Sequence, residues 1–328
     1  MRILFIGGTG IISSACSQLA LERGYELYLL NRGQSSRPIQ AGAKELHGDV
    51  RDPASVRAAL GDLTFDAVVN WVAFTPQHIE TDLELFRGRT RQYVFISSAS
   101  AYQKPVGHLP ITESTPLHNP FWKYSRDKIA CEERLTRAYR EDGFPVSIIR
   151  PSHTYDQTLL PMDGGYTVVD RMRRGQPVIV HGDGTSLWTL THHRDFAVGF
   201  VGLLGREQVI GDSVQITGDE WLTWNQIFGE VARAAGTTAE IVHVPSEVIA
   251  TFDAQWGAGL LGDKSHSVIF DNTKLKRLVP EYRASIPFAR GIEEVMAWYD
   301  ADPARQVVNA ELNRTMDAII EQIQRVRP

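Results

Sequence analysis

Several features that mark other classes of protein are scarce or absent in this 328-residue chain. There are two cysteines, Cys16 and Cys131, and neither belongs to a CxxC pair, so neither a disulfide framework nor a structural zinc site is supported. No run of 18 apolar residues occurs, and no membrane span is expected. The opening MRILFIGG enters an apolar strand at once, so we expect no secretory signal and a cytoplasmic location.

Positive charge is not concentrated anywhere in the chain. The 34 lysines and arginines are outnumbered by 39 acidic residues, which gives a formal net charge of -5, and no Lys/Arg-rich block is present. Such a surface is not suited to coating nucleic acid or an anionic membrane. The expected partner is therefore a small-molecule substrate, with no nucleic acid and no membrane.

Apolar runs of strand length alternate with helical patterns through the first half of the chain, which predicts a parallel, doubly wound α/β sheet. The predicted strands are 2–6, 26–30, 45–49, 66–72, 92–97 and 145–150, and the predicted helices lie near 11–23, 53–60 and 122–141. After Pro151 the loops lengthen and short elements of both kinds mix. We expect a dinucleotide-binding domain over 1–152, with a return segment near 188–205, and a smaller mixed α/β substrate domain over 153–328. Its last helix, about 305–326, would pack on the body or contact another subunit.

A glycine turn joins the first strand to the first helix. In FIGGTGIIS, Gly7 and Gly10 occupy the first two places of G-x-x-G-x-x-G, and Ser13 stands at the third. Gly7 can make the tight turn and Gly10 allows backbone to approach a pyrophosphate, whose charge the helix N-terminus favours. This context predicts a Rossmann-type dinucleotide site, with Ile11 and Ile12 also against the cofactor.

The end of the second strand bears on the choice of cofactor. NAD-binding proteins place a carboxylate there, but this chain has Asn31 and Arg32, with Arg37 nearby. Two cations could bind a 2′-phosphate, which favours NADP over NAD; alternatively, Arg32 stacks on the adenine or is solvated. Asp49 and Val50, after the third strand, are placed to meet the adenine, although Asp49 could equally cap the next turn.

The segment WKYSRDK carries a candidate catalytic pair. Tyr124 and Lys128 are spaced i, i+4 on a predicted helix and so share a face. A lysine cation one turn away is expected to lower the pKa of the phenol from its usual value near ~10. The tyrosine would then exchange a proton with an alcohol or carbonyl oxygen during hydride transfer, and a serine hydroxyl from the end of strand five would bind the same oxygen.

These segments resemble the extended short-chain dehydrogenase/reductase family, the NAD-dependent epimerase/dehydratase group. GGTGIIS resembles its GGTGFIG, FISSASAY its SSSSVYG and KYSRDK its PYGxSK, while IIRPSHTYD resembles RPxNVYGP and GDGTSLWTLTHHRDFA resembles GDGxxxRDFxHVxDxA. The resemblance implies that Ser98, four residues before Tyr102, is the catalytic serine and that Ser100 contacts substrate. It also implies a homodimer and no metal.

The chain departs from the family pattern at three places that bear on the substrate. Ala99 and Ser100 stand where the family's dehydratases carry an Asp-Glu pair, so a 4,6-dehydratase is not expected. His153 replaces the Asn of RPxN and is expected to hydrogen-bond substrate. Trp188 replaces the Arg that binds substrate phosphates in the family, which places a nucleotide sugar in doubt. The arginines that could take over this role are Arg171, Arg173, Arg174 and Arg194.

The aromatic and histidine side chains near these motifs can each be interpreted in two ways. The aromatic residues Trp71, Phe74, Trp122, Tyr155 and Trp188 either line the substrate pocket or belong to the core. The adjacent His192 and His193 are expected to point to opposite faces of a strand, which argues against a metal site.

Two kinds of function remain open from the sequence. The first is an enzyme, an NAD(P)-dependent epimerase or reductase that transfers hydride at a secondary alcohol or ketone of a sugar-like substrate. The second is a binding protein of the same fold that uses the nucleotide as a ligand, such as a regulator or an RNA-associated protein. Retention of Tyr124 and Lys128, together with the net charge of -5, favours the enzyme.

Overall fold

The computed structural model describes residues 1–35 and 37–326. Its strands are β1 Arg2–Ile6, β2 Glu26–Asn31, β3 Lys44–His47, β4 Phe65–Asn70, β5 Thr90–Ile96, β6 Val146–Pro151, β7 His153–Tyr155, β8 Val178–His181, β9 Leu187–Trp188, β10 Leu190–His192, β11 Ser213–Ile216, β12 Leu222–Thr223 and β13 Ile241–Val244. Its helices are α1 Ile11–Glu22, α2 Pro53–Leu60, α3 Pro76–Phe86, α4 Lys123–Asp142, α5 Tyr166–Arg173, α6 His193–Leu203, α7 Trp224–Ala234, α8 Ser246–Phe252, α9 Ala254–Gly259, α10 Thr273–Leu278, α11 Phe288–Asp300 and α12 Ala310–Val326. A π-helical turn, Leu260–Lys264, follows α9.

Seven strands form the central sheet in the order β11-β6-β5-β4-β1-β2-β3, and every neighbouring pair is parallel. This confirms the predicted doubly wound α/β sheet. The strand order reverses at β1, which pairs with β2 on one side and β4 on the other. A crevice at the carboxyl ends of such strands is where open parallel sheets bind their ligands.

Helices cover both faces of the sheet, and β1 shows why. Ile3 and Phe5 point into one buried cluster, which contains residues of α1 and α6. Leu4 and Ile6 point into the other, which contains residues of α2, α3 and α4. Because successive side chains of a strand face opposite ways, a continuous apolar run is what a strand buried on both faces requires.

The later part of the chain contributes more to this sheet than expected. Helix α6, which lies within the segment 188–205, packs on α1. The chain also comes back as Ser213–Ile216, which forms the seventh strand beside β6, a segment predicted to belong to the substrate domain.

A third buried cluster lies in the C-terminal region, built from β8, β13 and helices α5, α7 and α11. The last helix, α12, buries Met316, Ile319 and Ile320 in it. The terminal helix therefore packs on the body of the protein. None of the described helices is long and apolar enough to cross a membrane.

Candidate active site

The glycine turn after β1 has the geometry that its sequence predicts. Gly7 has a φ of +82°, and a Cβ there would lie 2.8 Å from Cγ1 of Val72. Ser13, which replaces the third glycine of the motif, is buried and holds the turn in place. Its hydroxyl accepts a hydrogen bond from the Gly10 amide (2.7 Å) and donates one to the Gly7 carbonyl (3.1 Å). The serine thus gives the turn a side-chain brace that a glycine would lack.

A cleft of about 390 Å³ opens beside this turn at the carboxyl ends of β1, β2 and β3. It is lined by Ile6, Gly7, Thr9, Leu30, Asn31, Arg32, Gln34, Ser35, Gly48, Asp49, Val50, Arg51 and Val72. Five of the predicted cofactor residues therefore share one cleft. Gly10, Ile11 and Ile12 lie at the start of α1 and are not among the lining residues. The shape and the positive φ of Gly7 fit a dinucleotide at the switch point of the sheet.

Asp49 and Arg37 make contacts other than the cofactor contacts expected of them. The carboxylate of Asp49 accepts a hydrogen bond from the Arg51 amide (2.9 Å), so it caps the turn as well as lining the cleft. Arg37 does not line the cleft. Its guanidinium pairs with Asp156 (2.7 Å) and also bonds Thr158, because the buried Asp156 carboxylate needs a counter-charge. The prediction that Arg37 faces a 2′-phosphate is therefore wrong.

Tyr124 and Lys128 lie one turn apart on α4, as their spacing predicts. The Lys128 ammonium is buried and lies 5.8 Å from the centre of the Tyr124 ring. It donates hydrogen bonds of 2.7 Å to the carbonyls of Ala73 and Ile96, near the carboxyl ends of β4 and β5. Two strand ends therefore hold the lysine head in place.

The pKa values of this pair move opposite to the sequence-based expectation. Burial raises the pKa of Tyr124 to about 12, although the nearby Ser98 hydroxyl acts the other way. Burial lowers the pKa of Lys128 to about 8. Desolvation is the largest cause of both shifts, and Tyr124 is a neutral phenol at pH 7.

Three serine hydroxyls form a chain beside Tyr124. Ser125 donates to Ser100 (2.8 Å), and the hydroxyls of Ser100 and Ser98 lie 2.9 Å apart. Ser98 begins the short helical turn Ala99–Ala101 that follows β5. The structure thus brings Ser98 and Ser100 to the same cavity wall as Tyr124.

A buried network fixes α4 behind these groups. Arg150, the arginine of the RP pair on β6, binds Glu132 of α4 through two bonds of 3.0 and 2.6 Å. Ser97, at the end of β5, donates to the same carboxylate (2.5 Å). Glu132 stands one turn beyond Lys128 on the same helical face, so the Arg150–Glu132 pair fixes the depth of the face of α4 that carries Lys128. The local sequence around Arg150 does not reveal this role, because Glu132 is 18 residues away along the chain.

A second cavity, of about 290 Å³, joins these groups to the C-terminal region. Its lining residues are Ser98, Ala99, Ser100, Trp122, Tyr124, Pro151, Ser152, His153, Thr154, Trp188, Thr189, Asp263, Lys264, Val268 and Phe270. Larger clefts open at the amino edge of the sheet around Met1, Asp66 and Arg91. Those clefts are remote from the glycine turn and from Tyr124, so chemistry rather than size identifies the site.

A model of the NAD dependent epimerase/dehydratase family matches residues 3–216 of this sequence. The chain belongs to that family. The chain is 24% identical to 2′-dehydrokanamycin reductase of Streptomyces kanamyceticus, over 91% of this chain and 84% of that protein. It is 28% identical to the chloroplast stem-loop binding protein of 41 kDa b of Arabidopsis thaliana, over 74% of this chain and 65% of that one.

Among solved structures, the family member UDP-glucuronic acid 4-epimerase from Bacillus cereus, in complex with NAD, has the same fold. It superposes with a TM-score of 0.71 at 19% identity, over 93% of this chain and 100% of that one. This similarity shows that the two proteins share one fold over nearly the whole of this chain.

This epimerase/dehydratase-family chain brings His153 and Trp188 to the wall of the cavity, as predicted. Of the other aromatic candidates, Trp122 also lines it, whereas Trp71 packs in the core against Phe5 and Phe200. Phe74 covers the Lys128 ammonium at 4.7 Å, and Tyr155 is buried against Phe288.

None of the four arginines considered as replacements for the family's phosphate-binding arginine lines the cavity. Arg171 pairs with Asp317, Arg173 with Asp300, Arg174 with Asp170 and Arg194 with Glu294. The cation on the cavity wall is instead Lys264, next to Asp263, and the sequence analysis missed both. The sequence does hold one signal for these two residues: they are a pair of opposite charges directly after the mostly apolar segment 256–262.

His192 and His193 do not lie on opposite faces. His192 ends β10 and His193 begins α6, and their ring centres are 4.6 Å apart. Because the chain changes from strand to helix between these two residues, the rule that successive side chains of a strand face opposite ways does not apply to them. Even so, the described part of the chain contains no group of three or more potential ligands arranged to hold a metal.

Proposed function

We propose that this chain is an NADP-preferring reductase that interconverts a ketone and a secondary alcohol on a sugar-like substrate. The observation that carries the proposal is the position of Tyr124 and Ser98 on the wall of one cavity, with the Lys128 ammonium buried directly behind them. When bound, the nicotinamide ring supplies or takes up the hydride.

The chain's own residues handle the proton. Because its pKa is about 12, Tyr124 holds a proton at neutral pH and can donate it to a carbonyl oxygen as that oxygen gains charge. Ser98 lies on the same cavity wall as Tyr124 and offers a second hydroxyl to the same oxygen. The chain of hydroxyls from Ser98 through Ser100 to Ser125 keeps these dipoles oriented.

Reduction is favoured over epimerisation by two observations. The neutral phenol is the protonation state that reduction needs, and the 2′-dehydrokanamycin reductase matches the chain over 84% of its own length. A dehydratase reaction is not proposed, because Ala99 and Ser100 offer neither an acid nor a base where elimination would need them.

The preference for NADP is inferred from the end of β2. Asn31 and Arg32 line the cleft there, so no carboxylate repels a 2′-phosphate at this strand end. Arg51 lines the same cleft and adds a second cation. Guanidinium groups are well suited to phosphate because they can donate two parallel hydrogen bonds.

The test separates three outcomes. Purified protein is mixed with NADPH and a panel of cyclic polyhydroxy ketones, and NADPH absorbance is followed; the corresponding alcohols are incubated without added cofactor. Consumption of NADPH supports the reductase. Isomerisation without added cofactor would show an epimerase, and nucleotide binding without turnover in either assay would indicate the non-catalytic binding protein.

A further inference from the structure

The charges on the substrate cavity come in opposed pairs. The Lys264 ammonium lies 3.6 Å from the carboxylate of Asp163, and the Asp263 carboxylate lies 3.3 Å from the Lys104 ammonium. Lys104 is completely buried, and the Lys264 side chain is only 12% exposed. Two cations and two carboxylates therefore leave this part of the cavity without net charge.

The turn that carries Lys264 and Asp263 is firmly held. The backbone carbonyl of Lys264 accepts hydrogen bonds from Nε2 of His181 (2.9 Å) and Nε1 of Trp224 (3.1 Å). The side-chain amide of Asn119 donates to the Gly262 carbonyl (2.6 Å). Single π-helical turns of this kind are frequent at functional sites. The two charges are thus presented from a rigid support, as a recognition site requires.

The rest of the wall offers ring faces and hydroxyl groups. Trp122, Trp188 and Phe270 provide apolar surface on which the C–H face of a saturated ring can lie. Neutral hydrogen-bonding groups line the remainder, namely Ser98, Ser100, Ser152, Thr154 and Thr189. At about 290 Å³, the cavity is at the small end of the range for ligand sites.

We propose that Lys264 and Asp263 recognise an uncharged, compact, polyhydroxylated ring, and that the cavity does not hold the diphosphate of a nucleotide sugar. This inference rests on the proposed function and specifies its substrate class. A sugar-like hydroxyl can accept a hydrogen bond from the ammonium and donate one to the carboxylate, so both charged groups are satisfied without any net charge on the ligand.

A diphosphate, unlike a neutral ring, would not have its charge balanced in this cavity. It needs cations that are not already neutralised, and Lys264 shares its charge with Asp163. The arginines considered earlier are each paired with a carboxylate, and no arginine among the described residues lines the cavity. The absence of net positive charge and the small volume of the cavity therefore both disfavour the binding of a diphosphate.

The test titrates UDP into the protein saturated with NADPH, followed by calorimetry and by the fluorescence of the cavity tryptophans. The wild type is expected to show no saturable binding of UDP. Asp163→Asn leaves the ammonium uncompensated and is expected to make the binding of UDP saturable within the titrated range. Asp170→Asn, at an acid that pairs with Arg174 outside the cavity, is the matched control and is expected to behave as the wild type.

A second arm uses whichever neutral ketone consumes NADPH in the reductase assay. Lys264→Met is expected to raise KM about tenfold with little change in NADPH affinity, and Lys264→Arg to restore part of the loss. Thermal melting confirms that the variants remain folded.

Three results would overturn the proposal: micromolar binding of UDP by the wild type that Lys264→Met abolishes, no gain in Asp163→Asn, or an unchanged KM in Lys264→Met. The UDP titration does not depend on turnover. A protein that binds NADPH but reduces no ketone would refute the reductase function. The UDP titration would still test whether the cavity excludes a diphosphate.

Discussion

The indole Nε1 of Trp188 donates a hydrogen bond of 3.1 Å to Nδ1 of His153. A histidine that accepts at Nδ1 must carry its ring proton on Nε2, so the bond selects one tautomer. Burial lowers the pKa of His153 to about 3, so the ring is neutral throughout the physiological range. The two residues that replace the family's Asn and Arg therefore form one neutral unit, which presents a fixed donor to the cavity.

This pair leads to the first prediction. Trp188→Phe removes the indole donor while keeping an aromatic ring, and is expected to raise KM for the neutral substrate about tenfold, because a buried acceptor loses its partner. Neither kcat nor NADPH affinity should change much. Trp298→Phe, half-buried on α11 away from the cavity, is the control. An unchanged KM would mean that the orientation of His153 does not matter for substrate binding.

The second prediction concerns the proton donor. Tyr124→Phe removes the hydroxyl but keeps the ring, so turnover is expected to fall about a hundredfold or more, while NADPH binds as before. Tyr139→Phe changes an exposed tyrosine of the same helix and should have no effect. Steady-state rates and fluorescence titration of NADPH measure the two effects. A Tyr124→Phe enzyme as active as the wild type would refute the mechanism.

The third prediction separates two arginines of the loop between β2 and β3. Arg32→Ala is expected to weaken NADPH about tenfold more than NADH, because it removes a cation from the cleft wall. Arg37→Ala instead breaks the link to Asp156 and should weaken both cofactors equally. Dissociation constants of both cofactors are compared by fluorescence. Equal losses in Arg32→Ala would remove the basis for the NADP preference.

The fourth prediction follows from a carboxyl group buried under the cofactor cleft. Burial raises the pKa of Asp82 to about 7, although Tyr93 and Asn70 donate hydrogen bonds to it. The unfolded chain loses this proton near pH 4 and the folded protein near pH 7, so stability falls as pH rises through this window. Each pKa unit corresponds to about 1.4 kcal/mol.

The corresponding experiment compares free energies of unfolding at pH 5 and pH 8. Asp82→Asn cannot ionise, so its stability should fall less than that of the wild type, by about 2 kcal/mol. Asp62→Asn, at an exposed acid, should follow the wild type. A wild type and an Asp82→Asn variant with parallel pH dependence would show that Asp82 is ionised in the folded protein at both pH values.

Periodicity and motif spacing predicted the part of the fold that depends on local pattern. Six of the seven strands of the central sheet were predicted, and RILFI before the glycine turn shows the continuous apolar run that a strand buried on both faces requires. Tyr124, Lys128, Ser98 and Gly7 were found because each lies at the end of such a strand or on the helix that follows.

Long-range contacts account for what the sequence did not reveal. Lys264 reaches the cavity because its carbonyl is bonded by His181 and Trp224, which are 83 and 40 residues away along the chain. Arg37 was misplaced because its partner, Asp156, is 119 residues away. The spacing of Tyr124 and Lys128 predicts a shared face but not the burial that sets their pKa values.

One amide side chain ties the two ends of the substrate cavity together. Asn119 donates both to the Ser100 carbonyl (2.9 Å) and to the Gly262 carbonyl (2.6 Å). The serines that would meet the reacting oxygen and the turn that would grip the far side of the ring are therefore anchored to the same point. Neither end of the cavity can shift alone to accommodate a longer or shorter ligand. The fixed distance between the two ends therefore selects substrates by their length.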